Sequence, residues 1–426
     1  MSDVTPPAST LAAGDRTRIL LYCGVIIVVL NTISPSAGFQ VVPFAFILKN
    51  KLHLGASELA RFGAWAGIPG YFSFAFGMAR DFWNPFKLGD RGYLMLFGGA
   101  SALSFAVFAF LPVSLPMLLA ASALTSVCFL FAWSAWNGLG SVIGRQFAMS
   151  GQISALWNFL GTVTIFAALF LGGFLSEHLE TLSAADAVRM LFLIAAAVMA
   201  VIALTGAWRP EAVYSHLDKS REAKRDLFAD IRRLAAHKAI YPALGIWMLW
   251  NFSPGGTTVL QYHMANTLHA TDSQYGAYAA VFSIAFVPTL LLFGFLSPRY
   301  PLSRLLWWGL ALAVPQMVPV LFAQTANQVV LAAIPMGLLG GIANGATLDL
   351  VIRSCPRGLE GTLMMLAWSL YAIATNIGNL FGTAIYDRYG FAACIAVTTA
   401  VYALMLPLAA LVPKDLIATA DGQAAV

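Results

Sequence analysis

Twelve long apolar runs dominate this chain, at 19–48, 57–80, 92–112, 115–144, 151–176, 187–208, 239–268, 273–296, 304–323, 327–352, 360–385 and 391–412. Each is long enough to cross a hydrocarbon layer about 30 Å thick, which takes about 20 residues of helix. In lipid, every backbone N–H and C=O must be satisfied internally, so runs of this length fold as helices. The composition points the same way, with 59% hydrophobic and only 10% charged residues. A soluble domain has roughly 45–50% and about 25%. That excludes an ordinary water-soluble enzyme, and the high hydrophobicity excludes a disordered chain. The reading is an all-α membrane protein of twelve transmembrane helices, here spans 1 to 12 in chain order. The polar start, residues 1–18, precedes a run too long for a signal-peptide core, so span 1 is expected to stay uncleaved.

Lysine and arginine set the orientation, because cytoplasmic loops carry them in excess. With both termini in the cytoplasm, 19 of the 24 fall on the cytoplasmic side. The other 5 are Lys49, Lys51, Arg61, Arg189 and Arg388. The net charge of +5 therefore reads as topology and not as nucleic-acid binding. The expected setting is the lipid bilayer, the inner membrane if the cell is bacterial. Cys23, Cys128, Cys355 and Cys394 are scattered, without a C-x-x-C pair or a neighbouring His cluster. No disulfide framework, metal site or cofactor is expected from them.

The one long hydrophilic stretch, 209–238, divides the chain into an N-terminal six-helix half, 1–208, and a C-terminal six-helix half, 239–426. Within this linker Leu227, Phe228, Ile231 and Leu234 share a helical face, with Arg225, Asp230, Arg232 and Arg233 elsewhere. That pattern suits an amphipathic helix lying on the cytoplasmic membrane surface. The halves look related. Leu52-His53-Leu54-Gly55-Ala56-Ser57 recurs as Leu268-His269-Ala270-Thr271-Asp272-Ser273. Ser34-Pro35 after Asn31 recurs as Ser253-Pro254 after Asn251, and Trp157 and Gly172 recur as Trp368 and Gly382. Two parallel six-helix halves, related by a pseudo-twofold, are the layout of the major facilitator superfamily fold, whose solute site lies near the midplane between them.

Two stretches carry a closer resemblance. Span 2 and its loop read Ile68-Pro69-Gly70-Tyr71-Phe72-Ser73-Phe74-Ala75-Phe76-Gly77, Arg80-Asp81 and Gly89-Asp90-Arg91-Gly92-Tyr93. Span 11 is entered by Cys355-Pro356-Arg357-Gly358-Leu359-Glu360-Gly361-Thr362, with Ser369, Asn376 and Gly378 beyond. The chain resembles the folate–biopterin transporter family of the major facilitator superfamily. That resemblance implies uptake of folates, pterins or similar solutes. The family's Trp, Lys and Pro after the span 2 proline are replaced here by Gly70, Ser73 and Phe74.

Charges inside membrane spans are costly and are functional candidates by default. Asp349 has Arg353 one turn later on the same face. It is a candidate for binding a co-transported proton or cation, or for latching the helix end. Asp81 and Arg91, beside Arg80, occupy the loop where transporters of this fold hold a gate: an acid at one helix end can hold a base and the N-terminal dipole of another helix. Pro298-Arg299, the corresponding place in the second half, lacks the acid, so the latch is expected to be one-sided. Buried amides are candidates for solute contact or for interhelical hydrogen bonds: Asn31, Gln40, Asn137, Asn158, Asn251, Gln261, Asn344 and Asn376. Spans 1 and 7 have the stronger claim to line a cavity, since proline and small residues interrupt both. His263 is a second coupling candidate. Trp133, Trp136, Trp157 and Trp368 are candidates for stacking a flat solute, with packing as the plainer reading.

The reading is a secondary transporter moving a small ring-containing organic solute by alternating access, with a proton or cation as the co-transported ion, working as a single copy. An exporter of amphipathic compounds and a multi-pass protein without a transport role are the alternatives. No nucleophile elbow, metal motif or Walker-type loop is present to suggest an enzyme or an ATP-driven pump.

Overall fold

The computed structural model describes residues 13–54, 62–63, 65–214, 227–270 and 272–421. Arg61, Arg225, Thr271 and the 55–57 part of the repeated Leu-His motif lie outside the described residues. Each of the twelve apolar runs contains helix. Among the described residues, eight helical stretches are individually long and apolar enough to cross a membrane. Spans 3 (Asp90–Phe108), 4 (Leu115–Gln146), 5 (Ser150–Glu180), 6 (Ala184–Ala207), 8 (Asp272–Leu296) and 10 (Ala326–Ser354) are continuous. Spans 11 and 12 form one stretch, Glu360–Ala410, that reverses at Gly390. Its φ of 78° is the left-handed conformation that only glycine adopts without strain. The loop expected at 386–390 is thereby reduced to one residue.

The remaining spans are broken where the sequence interrupts them. Span 1 runs as Ala13–Thr32, turns at Ser34-Pro35, and resumes as Val41–Phe46 with a π-helical end, Ile47–Lys51. Span 7 runs as Ile240–Asn251 and Thr257–Asn266, parted at Ser253-Pro254. Proline lacks the N–H that would continue the ladder, so each helix parts there. At both breaks a carbonyl packs directly against a glycine of a neighbouring span. The Phe39 carbonyl lies where a Cβ on Gly172 would be, and the Pro254 carbonyl where a Cβ on Gly382 would be. The recurring glycines of spans 5 and 11 thus let the backbone of a broken helix approach directly. Span 2 includes Ile68–Tyr71 and Ser73–Phe82, and span 9 is Leu302–Ala313 followed by a 3₁₀ turn, Val318–Phe322.

Span 3 packs along span 6 and span 8 along span 10, while spans 2 with 11 and 5 with 8 join the halves. One core fills the N-terminal half and continues across the seam into Leu348, Val351, Ile352, Leu359 and Leu363. The second half has two cores, one around Leu305, Leu306 and Tyr402 and one around Val259, Met264 and Ile395. Phe170, Phe174, Phe322 and Leu380 stand more than 70% exposed on the perimeter, where lipid replaces water as the apolar solvent. The linker helix is present as Leu227–Ala236, with Arg232 and Arg233 exposed and Leu234 buried. The side chains of 227–231 are outside the description.

Small residues set the closest helix approach. A Cβ on Gly98 would lie 2.7 Å from the Ala203 nitrogen of span 6, whereas nothing lies within 4 Å of one on Gly99. Gly98→Ala should cost about 1–3 kcal/mol by overpacking. Gly99→Ala should leave the melting temperature of the purified protein unchanged or slightly raised. Equal melting temperatures for the two variants would show that this seam does not need glycine.

Candidate functional site

At the midplane the halves meet through neutral polar groups and indoles. By helical rise, ~1.5 Å per residue, Asn344 lies about 15 Å from the end of span 10 at Ser354. Its amide nitrogen donates to Asn158 Oδ1 at 3.0 Å, and its oxygen accepts from Trp250 Nε1 at 3.2 Å. Asn158 donates in turn to the Ser154 carbonyl at 3.0 Å, and the Ser154 hydroxyl to the Gly345 carbonyl at 2.6 Å. Spans 5, 7 and 10 are tied together in this way. A cavity of about 220 Å³ opens beside the tie, lined by Thr162, Trp250, Phe282, Ser283, Phe286 and Asn344. The lining combines three aromatic rings with three neutral hydrogen-bonding groups.

Toward the linker end lies a layer of indoles. Trp133 stands edge-on to Trp157 and to Trp368, each at 5.7 Å, and Trp136 lies 5.1 Å from Trp157. Trp157 stacks on Trp368 at 6.5 Å, and Trp247 meets Trp368 at 6.2 Å. The Trp368 N–H donates to Asn137 Oδ1 at 2.7 Å across the halves, and Asn137 donates to the Trp133 carbonyl at 2.8 Å. Trp136 is fully buried with its N–H unpartnered. Five of the residues singled out in the sequence (Trp133, Trp136, Asn137, Trp157 and Trp368) are therefore gathered in this layer, and a sixth, Asn344, sits nearer the midplane.

Below this layer the linker end is joined by charged groups. The Asp81 side chain, 0% exposed, accepts from the Gly361 N–H (3.2 Å), the Thr362 N–H (2.6 Å) and the Thr362 hydroxyl (2.7 Å). These groups sit in the first turn of span 11, which has no earlier carbonyls to bond and carries the positive end of the helix dipole. Arg80, 1% exposed, donates to Asp81 at 2.7 Å and forks onto Asp90 at 2.7 and 2.6 Å. Its guanidinium occupies the place a Cβ on Gly138 would take. Arg145 crosses from span 4 to the Cys355 carbonyl and the Glu360 carboxylate. The base beside Asp81 is thus Arg80. Arg91 bonds the carbonyls of Gly206 and Ala207, each at 2.9 Å, and so caps the negative end of span 6.

Asp349 and Arg353 are paired at 2.9 Å. Arg353 also reaches the Ser150 hydroxyl at 2.9 Å and Asp421 at 3.0 Å, so it too bridges the halves. The second oxygen of Asp349 is buried without a hydrogen-bond partner.

The other residues lie apart from this column. Asn31, Asn251 and Asn376 each donate to the carbonyl four residues earlier, all at 2.8 Å. Gln40 reaches the Ile33 carbonyl at 3.4 Å, across the break in span 1. Gln261 is exposed, and His263 stacks on Phe391 at 4.0 Å. The cavity residues Thr162, Phe282, Ser283 and Phe286 carried no distinguishing sequence signal, since phenylalanines and small hydroxyl residues in an apolar run look alike whether they face lipid or a cavity. Asp421 was missed because it lies beyond the last span.

The Arg80 fork sets the local charge balance. Removing it in Arg80→Ala leaves the buried Asp81 and Asp90 carboxylates without their guanidinium, a loss of roughly 3–5 kcal/mol. The variant should accumulate poorly or melt far below the wild type, and Asp90→Asn in the same chain should recover part of the loss. A wild-type melting curve for Arg80→Ala would rule out this role.

Residues 255–423 match the sequence profile of the Major Facilitator Superfamily. No curated protein compared with the chain matches it in sequence. Among solved structures, 94% of the chain superposes on 100% of a human organic anion transporter, at TM-score 0.65 and 15% identity. The E. coli fucose:proton symporter aligns over 93% of this chain and 98% of its own, at TM-score 0.70 and 12% identity. A proton:xylose symporter bound to 6-bromo-6-deoxy-D-glucose aligns over 94% and 95%, at TM-score 0.65 and 12% identity. At such low identity these likenesses speak for the fold. The chain is an integral multi-pass membrane protein with the major facilitator superfamily fold, and its second half carries that superfamily's sequence profile.

Proposed function

We propose that this chain is a secondary transporter that moves a neutral, ring-containing organic solute by alternating access. The observation that carries the reading is the midplane cavity between spans 5, 7, 8 and 10, with hydrogen bonds between the halves clustered on its linker side. With the linker in the cytoplasm, as the Lys and Arg distribution directs, this is a state closed toward the cytoplasm. Inward opening then requires the Asp81, Arg145 and Arg353 contacts to part.

The lining supports the solute class. Trp250, Phe282 and Phe286 offer ring faces, and Thr162, Ser283 and Asn344 offer donors and acceptors without formal charge. A pterin-like ring meets both requirements. A folate brings carboxylates that no group in this lining neutralises. The residues that resemble the folate–biopterin family, Cys355 to Thr362, are engaged in the cross-half seam through Glu360 and Thr362, so the resemblance bears on the gate more than on the solute. Two of the structural neighbours are proton symporters. For this chain the coupling residue proposed is Asp349, whose unpartnered oxygen lies in the same seam.

The test is thermal stabilisation of the purified protein by neutral pterins, nucleosides, hexoses and folates. A binder at a hundredfold excess over its Kd stabilises by about 2.7 kcal/mol. Neutral ring compounds should raise the melting temperature, with folates weaker. Trp250→Ala and Asn344→Leu should each weaken binding roughly tenfold, the loss of one hydrogen bond or ring contact. A response to folates alone, or equal binding by both variants, would reject this solute assignment.

A further inference from the structure

The loop after span 8 carries Pro298-Arg299 where Asp81 follows Arg80 in the first half. A carboxylate nevertheless occupies the corresponding position in space, and it comes from the segment beyond span 12. Asp421, 4% exposed, accepts from the N–H groups of Gly151 at 3.2 Å and Gln152 at 2.9 Å, the first turn of span 5. Its own N–H donates to the Ser297 carbonyl at the end of span 8, at 3.0 Å. The geometry repeats that of Asp81, which lies at the end of span 2 and caps span 11. The glycines match as well. A Cβ on Gly151 would come within 2.9 Å of an Asp421 oxygen, and one on Gly361 within 2.8 Å of an Asp81 oxygen. Arg353 joins span 10 to Ser150 as Arg145 joins span 4 to Glu360.

We propose that the segment after span 12 is a second lock on the linker end: Asp421 supplies, at the start of span 5, the acceptor that the loop after span 8 lacks, and the end opens only when this segment releases span 5. The inference rests on the alternating-access reading above. The charged groups facing Asp421 are Arg353 and Asp349 of span 10. Arg16 of span 1 holds the same helix end through Gln152, at 2.8 Å. Burial and the Asp349 carboxylate push Asp421 up to about 6, against the pull of Arg353 and the two N–H groups.

Cys355, 2% exposed at the seam, is a built-in reporter of opening. The experiment is alkylation of the full-length purified protein by N-ethylmaleimide, with the rate at Cys355 followed by peptide mass spectrometry. Asp421→Ala should label roughly tenfold faster than wild type, the scale set by hydrogen bonds to a charged group. Gly151→Ala, whose Cβ would crowd the Ser297 side chain at 2.6 Å and an Asp421 oxygen at 2.9 Å, should act in the same direction. Asp415→Ala, an exposed acid on the same segment, should label at the wild-type rate. If Asp421→Ala fails to fold, Asp421→Asn, which loses the charge but keeps the size, decides by the same readout. Faster labelling in Asp81→Ala, with wild-type rates in both Asp421→Ala and Gly151→Ala, overturns the second lock and leaves the transport reading standing. Wild-type rates in all three overturn the second lock together with the gate.

Discussion

A carboxylate with its side chain fully shielded from solvent, set against the first N–H groups of a helix from the other half, is the interaction on which this arrangement depends. A buried charge is tolerable only when hydrogen-bonded and paired. Asp81 is paired with Arg80 within span 2, but its bonds from Gly361 and Thr362 hold only while span 11 stays against span 2. The contact is therefore a property of one relative position of the halves. Around it the positions of Arg80, Asp90, Gly138 and Gly361 follow from the need to neutralise and enclose that charge.

The same economy of polar groups shapes the middle of the bundle. Asn344 bonds Asn158 and the Trp368 N–H bonds Asn137 across the halves, and the Trp250 N–H bonds Asn344 within one, so the midplane holds hydrogen-bonding capacity without charge. Broken spans 1 and 7 set backbone carbonyls directly against glycines of spans 5 and 11. Neither break lines the cavity with its own amides: Asn31 and Asn251 turn back to their own helices. The breaks serve packing here, and the cavity is built by their neighbours.

Legibility differed by level. The helical runs, the broken spans and the recurring glycines could be read from apolar length, from proline and from offsets, because each rests on local chemistry. Asp81 and the Asp349–Arg353 pair could be read because charge is scarce in these segments. The indole layer was readable as a set of residues but not as an arrangement, since which face of a helix meets the other half is decided by packing. Asp421 could not be read at all. Its role comes from a chain reversal that brings residue 421 to residue 151, and no periodicity encodes that proximity.

Spans 11 and 12 are joined through a single left-handed glycine, Gly390, with no slack between them. Such a hairpin leaves its two helices no loop between them. Span 11 begins at the Asp81 contact, and span 12 leads into the segment that holds span 5 through Asp421. One hairpin and its following segment therefore carry both of these carboxylate contacts to the N-terminal half, with a single residue joining the two helices.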